Sequence, residues 1–301
     1  MAHYTFTTWK NKLAEMLTKQ LSSEGFTFEF KEVGSPTNTY EGLLVRRKGE
    51  KVGLSLRAKN IYRNNPSPKT AFQEVLKIIR TNLQNAPDFS YLSDYQNVKD
   101  KLILQLIPLS ACEKDDSIPH KVIKNMALVF RIETECNAEG HASALISRPL
   151  LERYGLSEDD LFEDALKYAP KNEPAIIKPI TAVIKDLIGE EYEDDNDPAQ
   201  IYVASNIHQF FGASVLAYPG FLSDIATRLG SYYIIPSSIH ELLIIPDNGG
   251  FEAKDLEALL QNTNSTVVES KDWLSDTVYR YDANTCELDY GVEHPTKEET
   301  A

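Results

Sequence analysis

Cysteine is scarce in this sequence. The 301 residues include three cysteines, Cys112, Cys136 and Cys286, which are odd in number and far apart. Neither a disulfide framework nor a Cys-x-x-Cys metal or redox motif can be built from this spacing. The scarcity predicts a reducing compartment, and we expect a cytoplasmic protein.

Long apolar runs are also missing. No segment approaches the roughly 20 apolar residues that a membrane-spanning helix needs. The first residues, Met1 to Phe6, have neither the basic region nor the apolar stretch of a signal peptide. The sequence therefore predicts that no membrane is a partner, whereas its 42% apolar content predicts a sizeable buried core.

The motifs of metal, nucleotide and nucleophile chemistry are absent as well. The six histidines show no metal-ligand spacing. His240 and Glu241 are followed by three apolar residues, so the His-Glu-x-x-His pattern lacks its second histidine. The chain has no Gly-x-Ser-x-Gly elbow and no glycine-rich loop before a helix. We expect no metal and no cofactor.

Acidic residues dominate the charge of the chain, but unevenly. The net charge is −14, which disfavours nonspecific nucleic-acid binding by the whole molecule. Residues 190–301 hold 21 acidic and 5 basic residues, whereas residues 1–189 hold 24 acidic and 26 basic ones. Within the first part, residues 46–69 hold eight basic residues and one acidic residue, a local charge of +7.

This basic stretch has several interpretations, which the sequence leaves open. It can contact an acidic protein partner or nucleic-acid phosphates, or it can be a solvated strand face that discourages edge pairing. It can also meet the chain's own acidic C-terminal part. We expect a protein to be the partner, since the net charge makes nucleic acid unlikely. The candidate contact residues are Arg46, Arg47, Lys51, Arg57 and Arg63.

Apolar periodicity predicts an α+β fold of mainly antiparallel sheets with covering helices, in two or three modules. Trp9, Leu13 and Leu17 have helical spacing, and Phe26 to Phe30 alternate with polar residues as in a half-buried strand. The acid-rich run Glu190–Pro198 lacks core residues and predicts an exposed connector. The predicted parts are an α-β-β-β-α module at 1–86, a central α+β module at 87–189, an acidic linker at 190–198, a C-terminal α+β module at 199–290 and a loose tail at 291–301.

Four elements in the later part of the chain are predicted individually. Lys101 to Leu109 are apolar on both faces, which indicates an internal strand. Residues 126–134 and 141–148 are expected to form a hairpin, and Ser157 is expected to cap a helix. Residues 211–217 are expected to form a strand.

The turn around Pro236 supplies the candidate ligand contacts. Ser237, Ser238, His240 and Glu241 combine hydroxyl, imidazole and carboxylate groups, which suggests a hydrolase. On a strand, however, His240 and Glu241 point to opposite faces, and serines in a turn commonly bond the backbone. Tyr218 lies just before a predicted helix start that could receive an anion on its free N–H groups. The candidate ligand contacts are Tyr218, Ser237, Ser238 and His240.

Several strings in the sequence carry a family resemblance. They are Ala217-Tyr-Pro-Gly220 before a helix, Tyr233-Ile-Ile-Pro-Ser-Ser-Ile-His-Glu241, Leu274-Ser-Asp276 and Val278-Tyr-Arg-Tyr-Asp282. With these strings the whole chain resembles an uncharacterised bacterial family, a domain of unknown function. The resemblance implies an α+β fold and implies no activity.

These observations favour a non-catalytic cytoplasmic binding or interaction protein. One alternative is a hydrolase-type enzyme with its site near Ser237, Ser238 and His240. A second alternative is nucleic-acid contact through Arg46–Lys69. The feature that would distinguish an enzyme from a binding protein is a set of polar groups that meet at one concave site, because catalysis needs several such groups together.

Overall fold

The computed structural model describes residues 4–35, 38–49, 53–83, 90–113, 116–137, 140–188 and 200–292. Its helices and antiparallel sheets confirm the predicted α+β class. The chain divides into two compact units, unit 1 at Met1–Tyr91 and unit 2 at Leu92–Ala301. The predicted linker Glu190–Pro198 lies outside the described residues, as does the predicted tail from residue 293 onward.

In its described residues, unit 1 combines one antiparallel sheet with three α-helices. The sheet order is β1-β2-β3, so β2 is the central strand. The strands are β1 (Phe26–Ser35), β2 (Asn38–Arg47) and β3 (Leu54–Arg57), and the helices are α1 (Phe6–Leu21), α2 (Ala58–Asn64) and α3 (Pro68–Leu83). The short helix α2 is an element that the sequence pattern did not predict.

The core of unit 1 lies between the helices and one face of this sheet. Helix α1 buries the side chains that recur every four residues, because residues at that spacing share one face of a helix. They pack with Leu43 and Val45 of β2, which point to the same face of the sheet. The buried core residues of α1 are Trp9, Leu13, Leu17 and Leu21. The alternate residues of β2, including Arg46, therefore point to the other face of the sheet, which we call the outer face.

Unit 2 contains two antiparallel sheets. A four-stranded sheet pairs β4 with β6, β6 with β5, and β6 with β7, and a six-stranded sheet has the order β13-β12-β10-β11-β9-β8. The strands are β4 (Leu102–Pro108), β5 (His120–Ile123), β6 (Met126–Asn137), β7 (Gly140–Leu145), β8 (Ala175–Pro179), β9 (Tyr202–Asn206), β10 (Tyr232–Ile235), β11 (Leu242–Pro246), β12 (Tyr279–Asp282) and β13 (Glu287–Tyr290). The helices are α4 (Leu109–Cys112), α5 (Arg148–Tyr154), α6 (Glu158–Asn172), α7 (Ile180–Ile188), α8 (Phe221–Leu229) and α9 (Ala253–Thr266).

Strands β8 and β9 lie on either side of residues 190–198 in the sequence and pair with each other. Their antiparallel register runs from Ala175 opposite Asn206 to Pro179 opposite Tyr202. A strand that precedes the acidic run therefore forms the edge of the six-stranded sheet. This pairing brings the end of α6 next to the loop that follows β9, where the candidate site lies.

The individually predicted elements of unit 2 have mixed outcomes. All seven residues of β4 are buried, as expected of a strand that is apolar on both faces, but among the described residues β4 pairs only with β6 and lies at the edge of its sheet. Strands β6 and β7 form the predicted hairpin. Ser157 caps α6 in a capping box with Asp160, as predicted. The predicted strand at 211–217 is wrong, since Gly212–Ala217 is a 3-10 helix. The apolar residues of this 3-10 helix are buried against β4 and β9. Phe211, directly before it, has a left-handed φ of 58°, which is incompatible with an extended strand.

The helices of the described residues are either too short or too polar to cross a lipid bilayer.

Candidate functional site

A loop directly after β9 is the centre of the candidate site in unit 2. The side chain of Asn206 organises it, because Oδ1 accepts hydrogen bonds from the backbone N–H groups of His208 and Phe210, each at 3.2 Å. Its Nδ2 donates to the carbonyl of Phe210 at 2.8 Å. Gln209 and Phe211 have left-handed φ angles of 53° and 58°, which are uncommon outside glycine and cluster at functional sites. The loop therefore has one defined path that sets the position of His208.

Gly212 fixes this loop against the turn that contains His240. A Cβ atom at Gly212 would lie 2.0 Å from Ser205 Oγ, 2.4 Å from the carbonyl oxygen of His240 and 2.8 Å from the backbone nitrogen of Asn206. Ser205 Oγ also donates a hydrogen bond to the His240 carbonyl at 2.8 Å. The two backbone segments approach so closely that only glycine fits between them.

Both ring nitrogens of His240 lie within hydrogen-bonding distance of neighbouring groups. Nδ1 accepts a hydrogen bond from the backbone N–H of Phe211 at 3.2 Å, which leaves the ring proton on Nε2. Nε2 faces Asp272 Oδ1 at 3.3 Å. The ring is nearly parallel to that of Phe211, with centroids 6.1 Å apart, and lies 5.4 Å from that of Phe210. These contacts make His240 a support for the loop.

The hydroxyl groups of the two serines before His240 form hydrogen bonds within the turn that contains them. Ser237 Oγ donates to the carbonyl and to Oε1 of Glu241, at 3.2 and 3.3 Å. Ser238 Oγ accepts the backbone N–H of His240 at 3.0 Å. Ser237, Ser238 and His240, the candidates of the hydrolase interpretation, therefore lie in one turn. Among the described residues, neither serine hydroxyl forms a hydrogen bond with an imidazole nitrogen.

Tyr218 lies in the interior instead of at an open helix end. It is 6% exposed, and its hydroxyl donates to the carbonyl of Glu173 at 3.0 Å and approaches that of Ala169 at 3.5 Å. Burial raises the pKa of Tyr218 well above its usual range, and the charge of Glu173 adds to the rise. The side chain thus anchors the backbone of Glu173 directly after α6.

Three residues that the sequence analysis did not single out come together beside this loop. Glu133 from β6, Glu173 and His208 each place one donor atom so that all three atoms lie within 4.8 Å of one another. His208 Nδ1 lies 2.8 Å from Glu173 Oε2, and the Glu173 side chain is 3% exposed. Glu133 borders an irregularity in the pairing of β6 with β7, a position where strands commonly redirect side chains.

The same face of β6 carries a buried cation. Arg131 is two residues before Glu133, so both side chains point to one side of the strand. Its guanidinium donates from Nε to Ser143 Oγ at 2.8 Å, from Nη2 to the Ser143 carbonyl at 3.1 Å and from Nη1 to Gln105 Oε1 at 3.1 Å. It lies 5.0 Å from the ring centroid of Phe211, and burial lowers the pKa of Arg131 to about 10. Neutral acceptors and an aromatic ring thus hold this positive group.

A shallow cleft, open to solvent, lies on the β8–β9 edge of the six-stranded sheet. Its wall includes Ser205 of β9, Gln209 of the loop after β9 and Glu241 of the adjoining turn. Lys178 and Asp186 form an ion pair of 2.9 Å at the same cleft. The cleft gives solvent access to the region of the loop.

The four described basic candidates of unit 1 lie on the outer face of the sheet, at the end of β2 and on α2. Arg46 and Arg57 point to the outer face of the sheet, where Arg46 pairs with Glu29 and the Arg57 guanidinium lies 4.2 Å from the ring centroid of Tyr40. Arg47 is exposed at the end of β2, and Arg63 is exposed on α2. The remaining candidate, Lys51, lies outside the described residues.

No curated protein and no solved structure matches this chain. One protein family does match, over residues 6–283, and its description is a family of unknown function, DUF5688. The match spans both units and includes every candidate residue discussed above. The chain therefore belongs to the DUF5688 family.

Proposed function

We propose that this chain is a non-catalytic, cytoplasmic interaction protein and that unit 1 binds an acidic segment of a partner protein. The binding surface is the outer face of the three-stranded sheet. The observation that carries the proposal is the cation–π contact between Arg57 and Tyr40, next to Arg46 on that face. The helices of unit 1 pack against the inner face, through Leu43 and Val45, so they do not cover the outer face.

The pair suits a carboxylate ligand. The N–H groups of a guanidinium match a carboxylate in bidentate geometry, and the contact with the Tyr40 ring restricts the movement of the Arg57 side chain. Tyr40 is held in place because its hydroxyl donates to Ser55 Oγ at 3.2 Å on the neighbouring strand. Arg57 is exposed, so a partner reaches it without rearrangement of the sheet. Arg46 already shares the carboxylate of Glu29, and we therefore assign the main contact to Arg57.

Two other features favour a protein over a nucleic acid as the partner. The net charge of −14 repels a polyphosphate chain at long range. The outer face also presents Glu29 and the apolar side chain of Leu44 beside its arginines, a mixture that is usual in protein interfaces.

The test compares two charge reversals that change the net charge of unit 1 equally. Arg57→Glu alters the outer face, and Lys77→Glu alters an exposed position on α3. Each variant and the unaltered chain are used for affinity capture from native lysate, and captured proteins are identified by mass spectrometry. We expect at least one acidic protein to be retained by the unaltered chain and by Lys77→Glu and to be lost with Arg57→Glu. Direct titration of that purified partner should then weaken as salt is raised.

Three results would contradict the proposal. Identical captured proteins for Arg57→Glu and Lys77→Glu would remove the outer face as the binding surface. Recovery of nucleic acid with the unaltered chain, and its loss with Arg57→Glu, would show that the partner is a nucleic acid and not a protein. Covalent labelling of Ser237 or Ser238 by a fluorophosphonate probe would show a reactive serine and contradict the non-catalytic assignment.

A further inference from the structure

We infer that the Glu133–Glu173–His208 cluster of unit 2 is a binding site for a divalent transition-metal ion, with Zn²⁺ or Fe²⁺ as the ions that its donors suit best. This inference concerns unit 2 and does not depend on the function proposed for unit 1. Two carboxylates and one imidazole form the donor set, and the three donor atoms lie within 4.8 Å of one another.

The spacing of the donors is close to that of a coordinated ion. Metal–ligand distances near 2.1 Å place neighbouring ligand atoms of a tetrahedral site about 3.4 Å apart. The donor atoms, all within 4.8 Å of one another, therefore need to move by no more than about 1.5 Å toward that arrangement. His208 Nδ1 and Glu173 Oε2, now 2.8 Å apart, need to separate slightly as the ion takes the place of the hydrogen bond between them, and the imidazole then carries its ring proton on Nε2.

The backbone that carries two of the three donors is held in place before any ion binds. Tyr218 holds the backbone of Glu173, and Asn206 holds the backbone of His208, through the hydrogen bonds described above. Glu173 is 3% exposed, so the protein shields this donor from solvent. His208 retains 35% side-chain exposure, which gives an ion a route from solvent. Supporting contacts of this kind are what orient ligands in established metal sites.

The donor types decide which ions are suitable. Imidazole favours zinc, iron, copper and nickel, whereas magnesium and calcium prefer sites made of oxygen ligands alone. Three protein ligands also leave at least one coordination position for water or for an atom of another ligand. The cluster is therefore expected to select transition metals over the alkaline-earth ions.

The experiment uses the full chain without a polyhistidine tag, first treated with a chelator. Isothermal titration with Zn²⁺, Co²⁺, Mg²⁺ and Ca²⁺ measures affinity, and the ligand-field absorption of bound Co²⁺ reports the coordination sphere. Glu133→Gln and His208→Asn are the site variants. Their matched controls are Glu135→Gln, an exposed position on the same strand, and His120→Asn on β5.

We expect one Zn²⁺ per chain, with affinity reduced more than about 100-fold in each site variant, above the 10–100-fold loss typical of an outer-shell residue. The controls should remain within about 3-fold of the unaltered chain, which is less than 0.7 kcal/mol. The Co²⁺ absorption should weaken or shift in both site variants and stay unchanged in both controls. Glu133→Gln nearly preserves shape at a half-buried position, so it tests the site even if His208→Asn fails to fold.

Three outcomes would overturn the inference. The first is no saturable transition-metal binding below about 1 mM, an affinity too weak to matter. The second is binding that the site variants and the controls share equally, which would mean adventitious binding elsewhere on the acidic surface. The third is a preference for Mg²⁺ or Ca²⁺ over Zn²⁺, which would contradict the role of the imidazole.

Discussion

Replacement of Gly212 by alanine tests whether the loop after β9 and the His240 turn are rigidly joined. The added Cβ would lie 2.4 Å from the His240 carbonyl oxygen and 2.8 Å from the backbone nitrogen of Asn206. Ordinary contact needs about 3.4 Å, so these backbone segments must separate by about 1 Å. Overpacking of this kind costs typically 1–3 kcal/mol.

A second contribution to the cost comes from Ser205. Its Oγ would lie 2.0 Å from the new Cβ, and rotation out of the way breaks its hydrogen bond to the His240 carbonyl. A lost buried hydrogen bond costs about 1 kcal/mol. We therefore expect Gly212→Ala to lower the free energy of unfolding of unit 2 by about 2–4 kcal/mol. Because the loop must move, Zn²⁺ affinity should fall as well.

Urea denaturation is the appropriate assay, with the fluorescence of Trp273 as its signal. The chain has two tryptophans, so Trp9 is replaced by phenylalanine and the signal then comes from unit 2 alone. Gly250→Ala is the control, since a Cβ there meets one side-chain atom, Asn248 Oδ1, at 3.1 Å. It should change stability by less than about 0.5 kcal/mol. In a Ser205→Ala background, Gly212→Ala should still cost at least 1 kcal/mol, because the backbone contacts remain. A stability for Gly212→Ala within about 0.5 kcal/mol of the unaltered chain would refute the rigid junction.

Three further predictions concern single side chains of unit 2. Tyr218→Phe should lower the free energy of unfolding by about 1–2 kcal/mol and weaken Zn²⁺ binding less than tenfold, because it removes only the anchor of the Glu173 backbone; an unchanged urea midpoint would contradict this. Ser157→Ala should cost about 1 kcal/mol in the same assay, since the capping box of α6 is lost, whereas Ser157→Asp should cost less. The hydrogen bond from Arg280, with further help from backbone N–H groups, lowers the pKa of Asp282 to about 2. The contribution of the Asp282 carboxylate to stability is therefore complete above pH of about 4, which is the pKa of an aspartate in the unfolded chain, and it disappears as the pH falls through about 2. The stability difference between the unaltered chain and Asp282→Asn should shrink over that range in an acid titration, and a constant difference would contradict the assignment.

The local features that the sequence predicted correctly are those with a short-range physical cause. A helix with apolar residues every third or fourth position buries one face wherever it packs, and α1 does so with Trp9 and Leu13. A strand that is apolar on both faces needs cover on both, and β4 has it. Ser157 caps α6 because its hydroxyl accepts the Asp160 N–H, a contact within one helical turn.

The same local patterns failed where packing decided the backbone. Residues 211–217 are apolar and were predicted to be a strand, but they form a 3-10 helix that is buried against β4 and β9. Apolar content alone does not distinguish a short buried strand from a short buried helix. The left-handed conformation of Phe211, which no local pattern marks, decides between them.

The sequence by itself determined the fold class, the family and the capping and periodicity of single elements. Only the tertiary structure decided the metal-binding candidate, because its three donors come from β6, from the end of α6 and from the loop after β9. Glu173 and His208 are 35 residues apart in the chain, and the pairing of β8 with β9 brings them to 2.8 Å. Spacing motifs find ligands that share one turn or one helix face, whereas ligands assembled by sheet pairing leave no periodic signal in the sequence.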